Sequence, residues 1–223
     1  MRSVTLRSGQ LVGVGKILCL GRNYTEHARE MKSEPPKFPI VFLKPSTALL
    51  HNGGGIKIPP FSNELHHEVE LVVLIGKECQ NIAPDDAWSH IAGYGVGLDM
   101  TLRDVQSKAK KRGLPWTTAK GFDTSAPIST IAEKSAVLNP GELSISLKVN
   151  GKTRQNSNTS KMIFPIDHVV SYLSSIFTLE QGDLIFTGTP EGVGAVVPGD
   201  ILEAKLESVG SLRVHVEHPL KEK

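Results

Sequence analysis

The chain has 223 residues, 39% of them hydrophobic and 22% charged, enough for one sizeable globular core. Lys plus Arg number 25 and Asp plus Glu 23, so the net charge is near +2, which excludes the basic field of a nucleic-acid binder. Cys19 and Cys79 are too few for a disulfide framework, and no run of about 18 apolar residues offers a membrane span. With no charged-then-apolar signal pattern at the N-terminus, these features predict a soluble cytoplasmic protein whose two thiols are buried and reduced.

In chain order, "RSVTLRSGQLVGVG" predicts a short hairpin turning at "SGQ", and "KILCLG" a buried strand. "NYTEHAREMKSE" has helical composition and must stop before "PP". "PIVFLKPS" predicts a strand, and "HNGGGIKIPPF" is turn chemistry throughout. "HHEVELVVLIG" predicts one continuous strand, "PDDAWSHIAGY" a short helix, and "GYGVGLD" a glycine-rich strand. "MTLRDVQSKAKKRG" predicts a helix, with basic residues in its last turns and Gly113 after its end.

The second half is richer in strands. "LSISLKVNGKTRQ" alternates around Asn150-Gly151, a hairpin signal of the primed type. Ile166, Val169, Val170, Leu173, Ile176 and Phe177 have helical spacing. "DLIFTGTPEGVG" predicts a strand running into a glycine-rich loop, and "DILEAKLESVGSLRVHVE" a final hairpin. Many strands without regular βαβ alternation predict a β-rich mixed α+β fold. The expected division is a hairpin over 1–16 and one domain over 17–223. "NGKT" at 150–153 mimics the end of a phosphate loop, but Ser146 stands where its first glycine belongs, so nucleotide binding is rejected.

The chemistry is sought in Glu68 and Glu70. Two residues apart on a strand, they share a face, about 6.5 Å from one another. Val72 and Leu74 continue that face into apolar territory. Two like charges there repel unless a positive charge lies between them, and a hard divalent cation would serve. The competing reading is a wet strand end. Asp99, at the end of the glycine-rich strand, is a third acid, although it could instead cap the following helix. The approach glycines let other backbone or substrate come close. Three carboxylates without a cysteine cluster form an oxygen-only set, suited to Mg²⁺ or Mn²⁺. His66 and His67, adjacent and so facing opposite sides, are set aside as ligands. His27 and Glu30 lie three apart in a short helix and share a face; they are either a base with its orienting acid or an ordinary salt bridge.

The blocks "LCLGRNYTEHAREM", "FLKPSTAL", "HHEVELVVLIG", "GYGVGLDMTLRDVQ", "GLPWTTAKGFDTSAP", "VNGKTRQ" and "FTGTPEGVG" together resemble the fumarylacetoacetate hydrolase family, above all its small acylpyruvate hydrolases. The resemblance implies a twisted mixed β-sheet roll, usually a homodimer. It implies a Mg²⁺ or Mn²⁺ site at Glu68, Glu70 and Asp99. It implies catalytic roles for His27, Glu30 and Lys120, and substrate binding by Arg22, Tyr24, Arg103, Gln106 and Thr189. The implied reaction is metal-assisted C–C hydrolysis of an acylpyruvate or another 2,4-dioxo acid. Oxaloacetate decarboxylation and isomerisation of 2-hydroxyhepta-2,4-diene-1,7-dioate are the alternatives within the family, and a scaffold with a structural cation is the non-catalytic one. Lys108, Lys110, Lys111 and Arg112 are expected to be a solvated basic helix end.

Overall fold

A computed structural model describes residues 2–30 and 34–217. Its centre is an eight-stranded mixed sheet. Seven strands run in the spatial order Ile40–Lys44, Ile17–Gly21, Leu184–Phe186, Val69–Ile75, Ile91–Leu98, Ala126–Ile128 and Leu49–His51, and Ala132–Glu133 pairs with Ile91–Leu98. A five-stranded sheet, ordered Lys152–Asn158, Ser144–Val149, Ile201–Leu206, Gly210–Val216 and Gly55–Ile56, packs across it. Among the described residues no helix is long and apolar enough to cross a membrane.

Period-two patterning divides the core. Along Val69–Ile75 every residue is buried, which requires both faces to be covered. Val69, Leu71, Val73 and Ile75 face the five-stranded sheet and meet Ile145, Leu147, Leu202 and Val214. Val72 and Leu74 face the other way, into a second cluster with Ile17, Cys19, Ile128 and Phe186. The N-terminal hairpin, Ser3–Thr5 paired with Leu11–Gly13, closes this second cluster with Val4 and Leu6. Both cysteines are buried and free.

Glycine makes the second cluster possible. Gly93, Gly95 and Gly97 stand directly opposite Leu74, Val72 and Glu70 in the ladder. A Cβ on Gly97 would lie 2.6 Å from Phe186, and one on Gly93 would lie 2.3 Å from the Ala132 carbonyl oxygen. The glycine strand thus admits neighbouring backbone and core side chains rather than substrate.

Several elements differ from the sequence expectation. The predicted strand "HHEVELVVLIG" is two strands, Leu65–His67 and Val69–Ile75, interrupted at Glu68. Leu65–His67 belongs to a separate three-stranded sheet with Thr101–Leu102 and Gly194–Val196. "HNGGGIKIPPF" is not turn throughout, since His51 ends one strand and Gly55–Ile56 pairs in parallel with His215 and Val216. Pieces so short exist only through their partners and leave no periodic signal. The late helix runs Ile166–Ser174 and buries Ile166, Val169, Val170 and Leu173, but Ile176 lies beyond its end and is exposed. The early helix covers Thr25–Glu30; its expected continuation through 31–33 lies outside the described residues. The Asn150-Gly151 turn has φ of 52° and 74°, as a primed turn needs.

We predict that Gly97→Ala destabilises the protein by about 1–3 kcal/mol, read as a shifted denaturant midpoint, because the added methyl overpacks Phe186 and Val72. Gly141→Ala, whose new Cβ would meet only the Asn139 side chain at 3.6 Å, should leave the midpoint within about 0.5 kcal/mol.

Candidate active site

Glu68 and Asp99 both sit where the chain leaves one sheet for another. His66 pairs with Thr101 in the three-stranded sheet, and Val69 pairs with Leu98 in the eight-stranded one. Between these pairs the Asp99 N–H donates to the Glu68 carbonyl at 2.8 Å. The break therefore brings two acids to one corner, with Glu70 as the second residue of the strand that follows. Oxygens of Glu68, Glu70 and Asp99 lie within 4.8 Å of one another, and all three residues are buried. Asp99 does not cap the following helix, Arg103–Lys111, which begins after Leu102.

Cations are distributed unevenly around the three acids. Glu68 receives the Arg103 guanidinium at 2.5 Å and the Lys120 ammonium at 2.7 Å. Lys120 also reaches Asp99 at 2.5 Å. Burial works against ionisation of Glu68, yet Lys120, Arg103 and His27 hold it well below the usual carboxylate range. Among the described residues, Glu70 has only the Gly188 N–H as a hydrogen-bond partner, at 2.7 Å. Burial, with Asp99 and Glu68 alongside, pushes its carboxyl well above the usual range. Asp99 Oδ1 is 2.8 Å from the Lys44 ammonium but, among the described residues, has no aligned hydrogen bond. A poorly compensated carboxylate beside an orphaned buried oxygen fits a hard divalent cation, and Glu68, Glu70 and Asp99 could hold one.

A narrow cleft opens over this cluster. Its lining includes Arg22, His27, Glu68, Arg103, Gln106, Lys120 and Thr189. His27 Nδ1 is 3.2 Å from Glu30 Oε2, and the Gly192 N–H donates to the same carboxylate at 3.1 and 3.3 Å. The glycine-rich loop thus holds carboxylates of the protein itself, Glu70 through Gly188 and Glu30 through Gly192. Gly188 must be glycine: its φ is 97°, and a Cβ would lie 2.6 Å from that of Asn23. Arg103 donates to Gln106 Oε1 at 2.6 Å, so these two act as one unit. The Thr189 hydroxyl accepts from Gln155 at 2.8 Å. Tyr24 is separated from the cleft lining. It is 1% exposed, and among the described residues its hydroxyl has no partner.

Other residues position the site and carried no sequence signal. Lys44 is 1% exposed at the end of an apolar strand. Its ammonium pairs with Asp99 and donates to the backbone oxygens of Lys120 and Ser125, tying Asp99 to the segment that carries Lys120. Gln155 accepts from the Val69 N–H at 3.0 Å and donates to Thr189 and the Pro190 carbonyl, clamping the glutamate strand to the glycine-rich loop. Asn23 donates to the Thr187 and Phe164 carbonyls. His67 is buried against Gln155, and His66 pairs with Glu64. Lys110 is exposed at the helix end, as expected, and also lines the cleft.

We predict that Lys44→Met lowers folding stability, measured by urea denaturation in EDTA, by about 3–5 kcal/mol, since it removes one of the two ammonium partners of buried Asp99 and the Lys44 donor to the Lys120 and Ser125 carbonyls.

Comparison with known proteins agrees with this geometry. Residues 16–217 match the family model "Fumarylacetoacetate (FAA) hydrolase C-terminal". The chain is 48% identical to oxaloacetate tautomerase FAHD1, mitochondrial, of Bos taurus over 203 residues, covering 91% of this chain and 92% of the relative. A solved fumarylpyruvate hydrolase from Pseudomonas aeruginosa, in complex with Mn²⁺ and pyruvate, superposes with a TM-score of 0.93 at 42% identity, covering 96% of this chain and 95% of that one. The 2-hydroxyhepta-2,4-diene-1,7-dioate isomerase from Mycobacterium marinum superposes with a TM-score of 0.83 at 35% identity, covering 96% and 79%. The curled, β-rich architecture, the buried acidic triad and these matches together establish that the chain belongs to the fumarylacetoacetate hydrolase family of enzymes.

Proposed function

We propose that this protein is a Mg²⁺- or Mn²⁺-dependent hydrolase that cleaves a C–C bond in acylpyruvates or related 2,4-dioxo acids. The observation that carries the reading is the His27–Glu30 pair, 3.2 Å apart, with His27 lining the same cleft as Glu68 of the acidic triad. A divalent cation on Glu68, Glu70 and Asp99 would supply Lewis-acid polarisation of the substrate's 2-oxo and carboxylate oxygens.

The chain's own groups then have separate tasks. The Glu30 carboxylate accepts from His27 Nδ1–H, which leaves the Nε2 lone pair free to take a proton from water. The hydroxide adds to the distal carbonyl carbon. The bond between that carbon and C3 breaks, and its electron pair becomes the enolate of pyruvate. The Lys120 ammonium, buried among anions and so held charged, stabilises that enolate. A proton delivered to C3 completes pyruvate, and the other product is the acyl carboxylate. Arg103 and Gln106 orient the substrate carboxylate, and the Thr189 hydroxyl faces the same cleft.

A second reading, tautomerisation of oxaloacetate, is favoured by the 48% identity to proteins bearing that name. It needs the same enolate but no attacking water, so His27 would take its proton from C3. Decarboxylation of oxaloacetate and isomerisation of a dienoic diacid would use the same electron sink. A homodimer is the assembly that the family resemblance implies. A cytoplasmic setting fits two buried free thiols, although the oxaloacetate tautomerase relative is named as mitochondrial.

His27→Ala should lower kcat for acetylpyruvate about 10²–10⁴-fold while calorimetric Mg²⁺ affinity stays within about threefold. If hydrolysis survives and only enol–keto exchange of oxaloacetate is lost, tautomerisation is the correct reading. Glu70→Ala should abolish turnover, and EDTA should do the same to the wild type. Turnover that persists in both refutes the ligand assignment.

A further inference from the structure

We propose that Arg22 and Lys110 form a second anion subsite at the mouth of the cleft, which receives a carboxylate at the far end of the substrate and makes 2-oxo dicarboxylates the preferred ligands; this rests on the 2-oxo-acid reading of the cleft given above.

Four cationic side chains line the cleft, namely Arg22, Arg103, Lys110 and Lys120, against a single lining acid, Glu68. Arg103 and Lys120 are committed to Glu68. Among the described residues, Arg22 and Lys110 make no ion pair. Lys110 is an exposed residue whose ammonium stands 5.1 Å from the Trp116 ring centre. Partial burial, then the charges of Arg103, Arg22 and Lys120, lower its pKa to about 8, against the opposing pull of Glu68. Cations therefore outnumber acids along this lining.

The backbone holds this arrangement in place. Arg22 has a φ of 58°, a left-handed conformation unfavourable for a residue with a side chain. The next residue fixes it. The Asn23 side chain donates to Phe164 and Thr187 and accepts from the Phe164 N–H. A Cβ added to Gly21, just before, would meet Trp116 at 3.6 Å, so the ring lies beside this stretch of backbone. Arg22 is thereby set on the same rim as the ring beneath Lys110.

Helix geometry supplies the spacing. Arg103, Gln106 and Lys110 lie at i, i+3 and i+7 on the helix Arg103–Lys111, one face of it. Arg103 grips Glu68 at the buried end, and Lys110 stands about 10 Å further along the axis. A ligand whose oxo-acid head sits by the acidic triad would extend its tail along this face toward Lys110. A methyl there leaves the cations unpaired, whereas a carboxylate pairs with both.

The test uses two unreactive acids of equal chain length, 2-oxoglutarate and 2-oxovalerate, titrated calorimetrically into protein loaded with Mg²⁺. Wild type should bind 2-oxoglutarate at least about tenfold more tightly. Lys110→Met should reduce that preference about tenfold without weakening 2-oxovalerate, while Lys110→Arg keeps it. Lys111→Met, an exposed cation on the same helix but off the cleft, should leave the preference unchanged. Matching melting curves would verify folding of the variants. Binding of both acids without preference, or an equal loss for both in Lys110→Met, overturns the subsite alone. Failure of wild type to bind either acid overturns the 2-oxo-acid reading as well.

Discussion

Three carboxylates share one buried corner, and their mutual repulsion is the constraint around which the site is built. At 4.8 Å and an effective dielectric of 20, two such charges repel by roughly 3 kcal/mol. One backbone hydrogen bond to a charged group returns about 1.5–3 kcal/mol net, less than the repulsion from two such neighbours. Lys120 and Arg103 can offset the repulsion for Glu68, and Lys44 and Lys120 for Asp99. The single N–H that Gly188 gives Glu70 cannot. The protein therefore holds a pre-formed deficit of positive charge at Glu70, inside walls too well packed to let the acids separate.

That rigidity comes from the two cores. The strand carrying Glu70 is buried on both faces, and the glycine strand beside it admits Phe186 and Ile131 at contact distances no other residue would tolerate. The corner itself is fixed by the transfer of two neighbouring segments from the large sheet to the small one. The short helix bearing His27 and Glu30 is then tied to the glycine-rich loop, which grips Glu30 on one side and Glu70 on the other. The His27–Glu30 pair and the acidic triad are thus referenced to the same few backbone amides.

Charge is uneven along the cleft. At the inner end Glu68 and Asp99 are paired to Lys44, Lys120 and Arg103, whereas Glu70, among the described residues, has no cation partner. The outer lining adds Arg22 and Lys110, with no acid of its own among the described residues. Such a mouth would attract an anionic ligand to the cleft.

Much of this was legible in the chain itself. Alternation marked the buried strands, Asn150-Gly151 marked a primed turn, and Glu68, Glu70 and Asp99 were conspicuous because acids rarely precede strongly apolar runs. Local sequence determines such features because hydrophobic period and turn geometry depend on near neighbours. What only the tertiary structure decided is long-range. The break at Glu68 follows from a change of sheet partner, which no period encodes. Lys44 looks like the end of an ordinary strand until the chain brings Asp99 and Ser125, more than fifty residues away, against its ammonium. Lys110 reads as one more basic letter of a helix end until the fold sets its ammonium over the Trp116 ring. Partners of that kind are chosen by packing in three dimensions, and a single charged letter carries no record of what will face it.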